Sequence, residues 1–151
     1  MEGDCVKKVI FVMLILWFFL PISANAMFPE EEVIALCNEI RREHGLPLLS
    51  VNWEAARAAR HKTEDMKAKG YFGHNSPVYG SIFDMLKNFH ISYEYAGENI
   101  AMGLATPQDV VDAWMASPGH RKNILDEKFI TAGVGYTKDG NVHYWVLILI
   151  G

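Results

Sequence analysis

The segment 142–150, close to the C-terminus, is apolar at almost every position and rich in β-branched and aromatic residues, which favours a strand. Successive side chains of a strand point to opposite faces, so this strand is apolar on both faces. Such a strand is stable only where both faces are covered. Since the chain offers little except helices for that purpose, the sequence predicts an α+β protein with helices on both faces of a small antiparallel sheet.

A second strand precedes this one in the chain. In residues 132–136, glycine alternates strictly with larger side chains, which is typical of a strand. The segment 138–141 is typical of a turn between two strands. Gly133 and Gly135 share one face of the predicted strand. Their lack of side chains lets a helix or another part of the chain approach this face closely.

Helix signals dominate the rest of the chain after residue 28. Pro29 and three following glutamates suit the beginning of a helix, with Arg41 and Arg42 near its C-terminal end. Asn52 is a suitable N-cap for a helix that reaches Lys69. Further helices are predicted around 82–89, after the Thr106-Pro107 cap and, as a short turn, up to 125.

For the helix that begins after Asn52 we expect an inner stripe and a solvated face. Trp53, Ala56, Ala59 and Met66 are the predicted inner residues. His61 and Glu64 stand one turn apart and could in principle bind a metal. A solvated face is the favoured interpretation, because this pair has charged neighbours: Arg60, Lys62, Asp65 and Lys67.

The first 26 residues resemble an export signal rather than part of a folded domain. Lys7 and Lys8 precede the apolar run 9–20, and small residues end the segment at Ala26. This pattern predicts a secretory signal peptide at 1–26 that is cleaved after Ala26, followed by one domain at 27–151. The alternative is an uncleaved anchor, although the run is short for a membrane span.

Composition excludes several classes of protein. The chain has 14 basic and 18 acidic residues, a net charge of −4 and no basic tract, which argues against binding to nucleic acid. Two cysteines cannot form a disulfide-rich scaffold, and cleavage would leave only Cys37. Cys37 lies on the apolar face of the first helix and is expected to be buried and structural.

Three short segments place a titratable side chain beside a glycine or proline. They carry His74, Glu98 and His120. If these groups converge, two imidazoles and one carboxylate could bind zinc and leave a position open for water. The same groups could instead transfer protons without a metal. From residue type alone, histidines that only form structural hydrogen bonds are the default interpretation.

Four sequence motifs, in the order in which they follow one another along the chain, are together specific to one protein family. The sequence closely resembles the bacterial branch of the CAP superfamily, which includes cysteine-rich secretory proteins, antigen 5 and pathogenesis-related proteins and whose domain is also called the SCP domain. The resemblance extends from about residue 33 to residue 151. The motifs are GYFGHNSP at 70–77, AGENIA at 96–101, SPGHRKNIL at 117–125 after Trp114, and GVGY at 133–136.

The resemblance implies a three-layer α-β-α sandwich with a cleft that holds two histidines and two acids and binds zinc in some members. His74 matches the first histidine, Glu98 the first acid and His120 the second histidine, with Asn99 and Ser117 at the edge of the cleft. Ser117 stands where the second acid is expected. The resemblance therefore implies weak, exchangeable zinc at His74, Glu98 and His120, or none.

The function implied by the resemblance is that of a secreted or cell-envelope protein. We expect a monomeric binding or interaction module with an envelope, lipid or protein ligand, no nucleic-acid partner and no membrane span after signal removal. The alternative is a metal-assisted hydrolase of peptide or cell-wall bonds, with His74, Glu98 and His120 activating water. A non-enzymatic role is favoured, because no sequence feature points to hydrolysis; for example, no Gly-x-Ser-x-Gly motif is present.

Overall fold

The computed structural model describes residues 27–151, so the predicted signal peptide at 1–26 lies outside the described residues. Five helices and four strands follow one another along this part of the chain. In order, they are α1 (Pro29–Glu43), β1 (Ser50–Val51), α2 (Trp53–Lys69), α3 (Ile82–Asn88), β2 (Ala96–Met102), α4 (Pro107–Ala116), α5 (Pro118–Ile124), β3 (Thr131–Asp139) and β4 (Val142–Ile150).

The four strands form one sheet in the order β1-β3-β4-β2. The central strand β4 pairs antiparallel with β3 and with β2, whereas the two-residue β1 runs parallel to β3. The sequence analysis assigned no strand at β1 or β2. Strand β2 is missed because Glu98 and Asn99 are polar yet buried, so that its sequence lacks the apolar pattern of an interior strand.

Helices cover both faces of the sheet, as the apolar pattern of β4 predicts. Trp145, Leu147 and Leu149 pack into a core with α1, α4 and α5. Tyr144, Val146 and the other residues of the alternate set pack into a second core with α2 and α3. The result is an α-β-α sandwich with β4 at its centre.

Helix α2 lies directly on β3 at the two glycines. A Cβ atom on Gly133 would lie 2.0 Å from the backbone nitrogen of Ala56, and one on Gly135 would lie 2.2 Å from the backbone carbon of Ala59. The predicted close approach is therefore confirmed. Its partner is the backbone of α2, so the two glycines allow this helix to lie directly against β3.

The predicted limits of α2 are correct, but the predicted inner stripe is only partly so. The Asn52 side chain accepts a hydrogen bond from Ala55 N, and Gly70 ends the helix in the left-handed conformation. Trp53, however, is 70% exposed. It lies two residues before the fully buried Ala55, about 200° around the helix axis, and is therefore off the buried stripe.

Two charged residues of α2 that we assigned to a solvated face are buried. Lys62 is 1% exposed and Asp65 is 7% exposed, whereas His61 and Glu64 are exposed as predicted. Lys62 is three residues after Ala59 and four before Met66, so it lies on the buried stripe itself. The spacing of Lys62 from Ala59 and Met66 indicates burial in the sequence itself. We assigned Lys62 to solvent because of its charge.

Helix α1 is anchored through Arg41, which we expected to act only at the helix end. The side chain is fully buried. Its guanidinium donates to four backbone carbonyls that lie outside the helix, those of Pro47, Ile124, Asp126 and Phe129. Arg41 thus ties α1 to the connection between α5 and β3.

Cys37 is buried and free, as predicted. Burial raises the pKa of its thiol to about 12, which leaves the thiol protonated and unreactive at neutral pH. None of the helices between residues 27 and 151 is both long and apolar enough to cross a membrane.

Candidate functional site

Three elements from separate parts of the chain bring the predicted site residues together. His74 lies in the connection between α2 and α3, Glu98 in β2 and His120 in α5. The Nδ1 atom of His74 donates a hydrogen bond of 2.7 Å to Oε1 of Glu98. The rings of His74 and His120 have their centroids 6.4 Å apart and are tilted by 49°. We refer to these three residues as the histidine cluster.

The members of the histidine cluster differ sharply in exposure. The His74 side chain is 56% exposed, whereas the Glu98 side chain is only 2% exposed. Oxygen Oε2 of Glu98 is buried and has no hydrogen-bond partner among the described residues. A buried carboxylate therefore holds an accessible imidazole with one oxygen and keeps the other oxygen unpaired.

The segment that carries His74 is fastened to α2. Nζ of Lys62 donates to the backbone carbonyl of His74 at 2.6 Å. Asp65 accepts a hydrogen bond of 2.6 Å from Ser76 and another from the hydroxyl of Tyr71. The two buried charges that the sequence analysis missed are thus the groups that position the loop around His74.

Asn99 positions the helix that carries His120. Its side-chain nitrogen donates to the backbone carbonyl of His120 at 3.0 Å, and its oxygen accepts from Asn123 at 2.9 Å. Asn123 also donates to the backbone of Glu98 at 3.3 Å. This amide pair connects β2 to α5, and sequence reasoning did not identify Asn123 as part of it.

Ser117 lies at the junction between α4 and α5. It is the C-cap of α4 and the N-cap of α5, is half-buried and makes no side-chain capping bond. No hydrogen bond between described residues joins its hydroxyl to the histidine cluster. The structure therefore shows Ser117 as a helix-junction residue and leaves its place at the edge of a cleft as a prediction.

The two imidazoles have opposite pKa shifts. The hydrogen bond to Glu98 raises the pKa of His74 above its ordinary value, against the smaller lowering effects of burial and of the Lys62 charge. Burial, together with the charge of His74, lowers the pKa of His120. Between the two pKa values, His74 is protonated and His120 is neutral, so the cluster offers one cationic imidazole beside one with a free nitrogen lone pair.

We expect Glu98→Gln to lower the pKa of His74. The substitution removes the charge that stabilises the imidazolium, while burial and Lys62 continue to disfavour it. An NMR titration of the histidine ring protons measures both pKa values. The exposed Glu127→Gln serves as the matched control and should leave the His74 titration unchanged. An equal His74 pKa in Glu98→Gln and wild type would show that the pair does not form in solution.

The same two shifts contribute to the pH dependence of stability. Because the His74 pKa is raised in the folded state, its pair with Glu98 contributes stability that is fully present below the unfolded value near 6.5 and is lost as the pH rises through the folded pKa. His120 acts in the opposite direction. Its lowered pKa costs stability as the pH falls below about 6.5.

The donor atoms do not form a three-ligand metal site as they are placed. Among the residues that the structure describes, no group of three His, Cys, Asp or Glu side chains is arranged to hold an ion. Glu98 faces Nδ1 of His74, which is the position of a group that orients a ligand rather than that of a ligand. The zinc site implied by the resemblance stays a prediction.

A separate groove lies near the other edge of the sheet, where β1 ends. Its volume is about 580 Å³, and Phe28, Val51, Trp53 and Val134 contribute its apolar surface. None of the residues that line it belongs to the histidine cluster. The histidine cluster is therefore not part of this groove.

The fold and the histidine cluster together define an α-β-α sandwich protein. A buried glutamate lies on one edge strand of its sheet, and an accessible histidine from another segment pairs with it. Comparison with known proteins identifies the family. Residues 34–149 match the model of the CAP family, described as the cysteine-rich secretory protein family. The chain belongs to the CAP family.

Several bacterial proteins are similar to this chain. The uncharacterized protein YkwD of Bacillus subtilis is 51% identical over 131 residues, which cover 87% of this chain and 49% of YkwD. The crystal structure of an extracellular SCP-domain protein from Bacillus anthracis is 35% identical with a TM-score of 0.76, covering 81% of this chain and 40% of that protein. The chain thus spans about half the length, or less, of these relatives.

A more distant solved structure has the same fold. An outer surface protein of Borrelia burgdorferi is 18% identical, with a TM-score of 0.74 over 82% of this chain and 95% of that protein. At this level of identity the similarity concerns the fold alone. The predicted membership of the bacterial branch of the CAP superfamily is confirmed by the family match and by the two Bacillus proteins.

Proposed function

We propose that this protein is exported and acts outside the cell or in the cell envelope as a binding module, with the histidine cluster as its binding site. The export pattern of residues 1–26 supports the location. The similar SCP-domain protein from Bacillus anthracis is described as extracellular, which is consistent with it.

One observation carries the proposed binding role. Glu98 is almost fully buried, yet it uses only one oxygen, and its partner is a histidine that is itself mostly exposed. A buried carboxylate with an unpaired oxygen costs free energy, which packing alone does not explain. The hydrogen bond to Glu98 raises the pKa of His74, and groups with shifted pKa values concentrate at functional sites.

The chemistry of the cluster limits what it can bind. The outward nitrogen of a protonated His74 donates a hydrogen bond, and the neutral His120 can accept one. A ligand that presents a polar acceptor and a donor within a few ångströms of each other fits both rings. Envelope components, lipid headgroups and protein segments all offer such pairs, so the source of the ligand is decided by experiment.

Hydrolysis is the second candidate, and one feature of the cluster favours it. A histidine whose Nδ1 is held by a buried carboxylate is oriented as a general base is in acyl-transfer enzymes. In that role, His74 would take a proton from water and Glu98 would stabilise the imidazolium that forms.

Binding to isolated envelopes of Bacillus subtilis tests the proposal. Purified residues 27–151 are labelled and titrated with these envelopes, and His74→Ala is compared with His44→Ala, an exposed histidine of the α1 C-cap. We expect saturable binding by the wild type, at least about tenfold weaker binding by His74→Ala and no change in His44→Ala, since a lost charged hydrogen bond costs about 1.5 kcal/mol or more.

The same samples separate the two candidates. If the wild type releases soluble peptide or sugar fragments from the envelopes and His74→Ala does not, the protein is a hydrolase rather than a binding module. Equal binding by the wild type and His74→Ala, or no binding by either, would contradict the proposed role of the cluster.

A further inference from the structure

The outer edge of β3 extends well beyond the short strand that pairs with it. Strand β1 has two residues, and the hydrogen bond that follows it runs from the backbone nitrogen of Asn52 to the carbonyl of Ala132. Alternate residues of a strand direct their backbone groups to the same side, so Val134 and Tyr136 also direct their N–H and C=O groups to this edge. The sheet has no further strand there within residues 27–151.

The outward groups of Val134 and Tyr136 have no hydrogen-bond partner among the described residues. The opposite edge of the sheet differs, because Asn123 and Trp114 each donate a side-chain hydrogen bond to a backbone carbonyl of β2. Val134 is only 1% exposed, and buried backbone groups without partners are rare in proteins. This part of β3 therefore has the hydrogen-bonding groups that an added strand requires.

The groove of about 580 Å³ lies against this edge, and Val134 lines it together with residues of α1 and α2. Helix α1 packs on the face of the sheet that carries the Val134 side chain, whereas α2 packs on the face of Gly133 and Gly135. The groove thus lies between the two helical layers. The side chains of a strand added there would point alternately toward α1 and toward α2.

The two helices present opposite charges to the groove. Glu30 and Glu31 line it from α1, whereas Arg57, Arg60 and Glu64 line it from α2. Arg60 and Glu30 are 3.7 Å apart, but their side chains are 58% and 23% exposed, so this ion pair is weak and readily exchanged for another. A strand with basic side chains toward α1 and acidic side chains toward the two arginines of α2 is complementary to both walls.

We propose that the edge of β3 at Val134 and Tyr136 is a docking site for an extended peptide segment of another protein, which adds a fifth strand to the sheet. The segment alternates basic side chains, which face α1, with acidic side chains, which face α2. Backbone hydrogen bonds to β3 provide affinity, and the two charged walls provide specificity. This interaction goes beyond the proposed function, because no residue of the histidine cluster lines the groove.

A synthetic peptide tests the docking site. The probe is a blocked hexapeptide in the order valine, lysine, glutamate, lysine, glutamate, valine, which has the lysines on one face and the glutamates on the other when extended. The first control peptide has the order valine, lysine, lysine, glutamate, glutamate, valine, which places both charges on each face. The second is the probe with N-methyl groups on its four inner residues. In calorimetric titrations of residues 27–151, the probe should bind at least about tenfold more tightly than either control.

Hydrogen exchange measured by NMR locates the bound peptide on the wild-type protein. We expect the probe to slow exchange at the amides of Val134 and Tyr136 by at least about tenfold. The amides of Gly133 and Gly135 should be unaffected, because they face β4. Binding without this alternating protection would place the peptide elsewhere and overturn the proposal.

Ala56→Tyr should fill the groove and weaken probe binding at least about tenfold. Ala56 is half-buried and lines the groove, whereas Ala68 is exposed on the same helix outside it, so Ala68→Tyr is the matched control and should bind as the wild type does. Equal affinity for the probe and both control peptides, or equal binding by a folded Ala56→Tyr and the wild type, would contradict the docking site. Self-association of the wild type that Ala56→Tyr abolishes, measured by sedimentation, would assign the edge to a second copy of the chain instead. Failure to bind envelopes would leave these results unaffected.

Discussion

Gly135→Ala should destabilise the protein by about 3 kcal/mol or more, a large part of the stability of a domain of this size. The new Cβ would lie 2.2 Å from the backbone carbon of Ala59 and 2.3 Å from the backbone nitrogen of Arg60. Neither atom belongs to a flexible side chain, so α2 as a whole would have to move away from β3. Urea unfolding followed by circular dichroism measures the loss.

Gly119→Ala is the control for this substitution. No atom lies within 4 Å of a Cβ built at Gly119, and its φ is not positive. Its stability should stay within about 0.5 kcal/mol of the wild type or rise slightly, because alanine favours the helix. A Gly135→Ala protein with the same urea midpoint as Gly119→Ala would contradict the close packing of α2 on β3.

Arg41→Met should have an effect of similar size, about 3 kcal/mol or more. Methionine fills much of the same space but leaves the carbonyls of Pro47, Ile124, Asp126 and Phe129 without their charged donor. Buried acceptors that lose a charged partner each cost about 1–3 kcal/mol. Thermal and urea unfolding should both show the loss, and hydrogen exchange should rise in the 124–129 connection.

Arg42→Met tests whether the effect belongs to the buried site. Arg42 is the next residue of α1 and lies in the same last turn, but it is exposed. Its removal costs only its interaction with the helix dipole, about 0.5 kcal/mol. Equal losses for the two substitutions would mean that Arg41 acts only through the helix end, as its position in the sequence alone suggests.

Local patterns in the sequence correctly predicted those elements whose own residues show which faces are buried and where the element ends. The two apolar faces of segment 142–150 required cover on both sides, and β4 lies between two helical layers. The N-cap Asn52 and the terminator Gly70 predicted the limits of α2. The glycines at 133 and 135 predicted a close approach, which the backbone of α2 makes.

The same reasoning failed where a polar side chain is buried by distant partners. Lys62, Asp65 and Arg41 were assigned to solvent or to a helix end, because charge normally indicates exposure. Their partners are backbone carbonyls and hydroxyls from other segments, and for Arg41 some of these lie more than 80 residues away along the chain. Strand β2 was missed for the same reason, since Glu98 and Asn99 interrupt its apolar pattern.

The sequence by itself determined the layered α-β-α architecture, the CAP resemblance and the identity of His74, Glu98 and His120 as candidate site residues. Only the tertiary structure decided how these groups meet: Glu98 binds Nδ1 of His74, and Lys62 donates to the backbone carbonyl of His74. Periodicity along a chain records which face of an element is buried. Distances between side chains depend on how elements far apart in sequence pack, and His74, Glu98 and His120 come from three such parts of the chain.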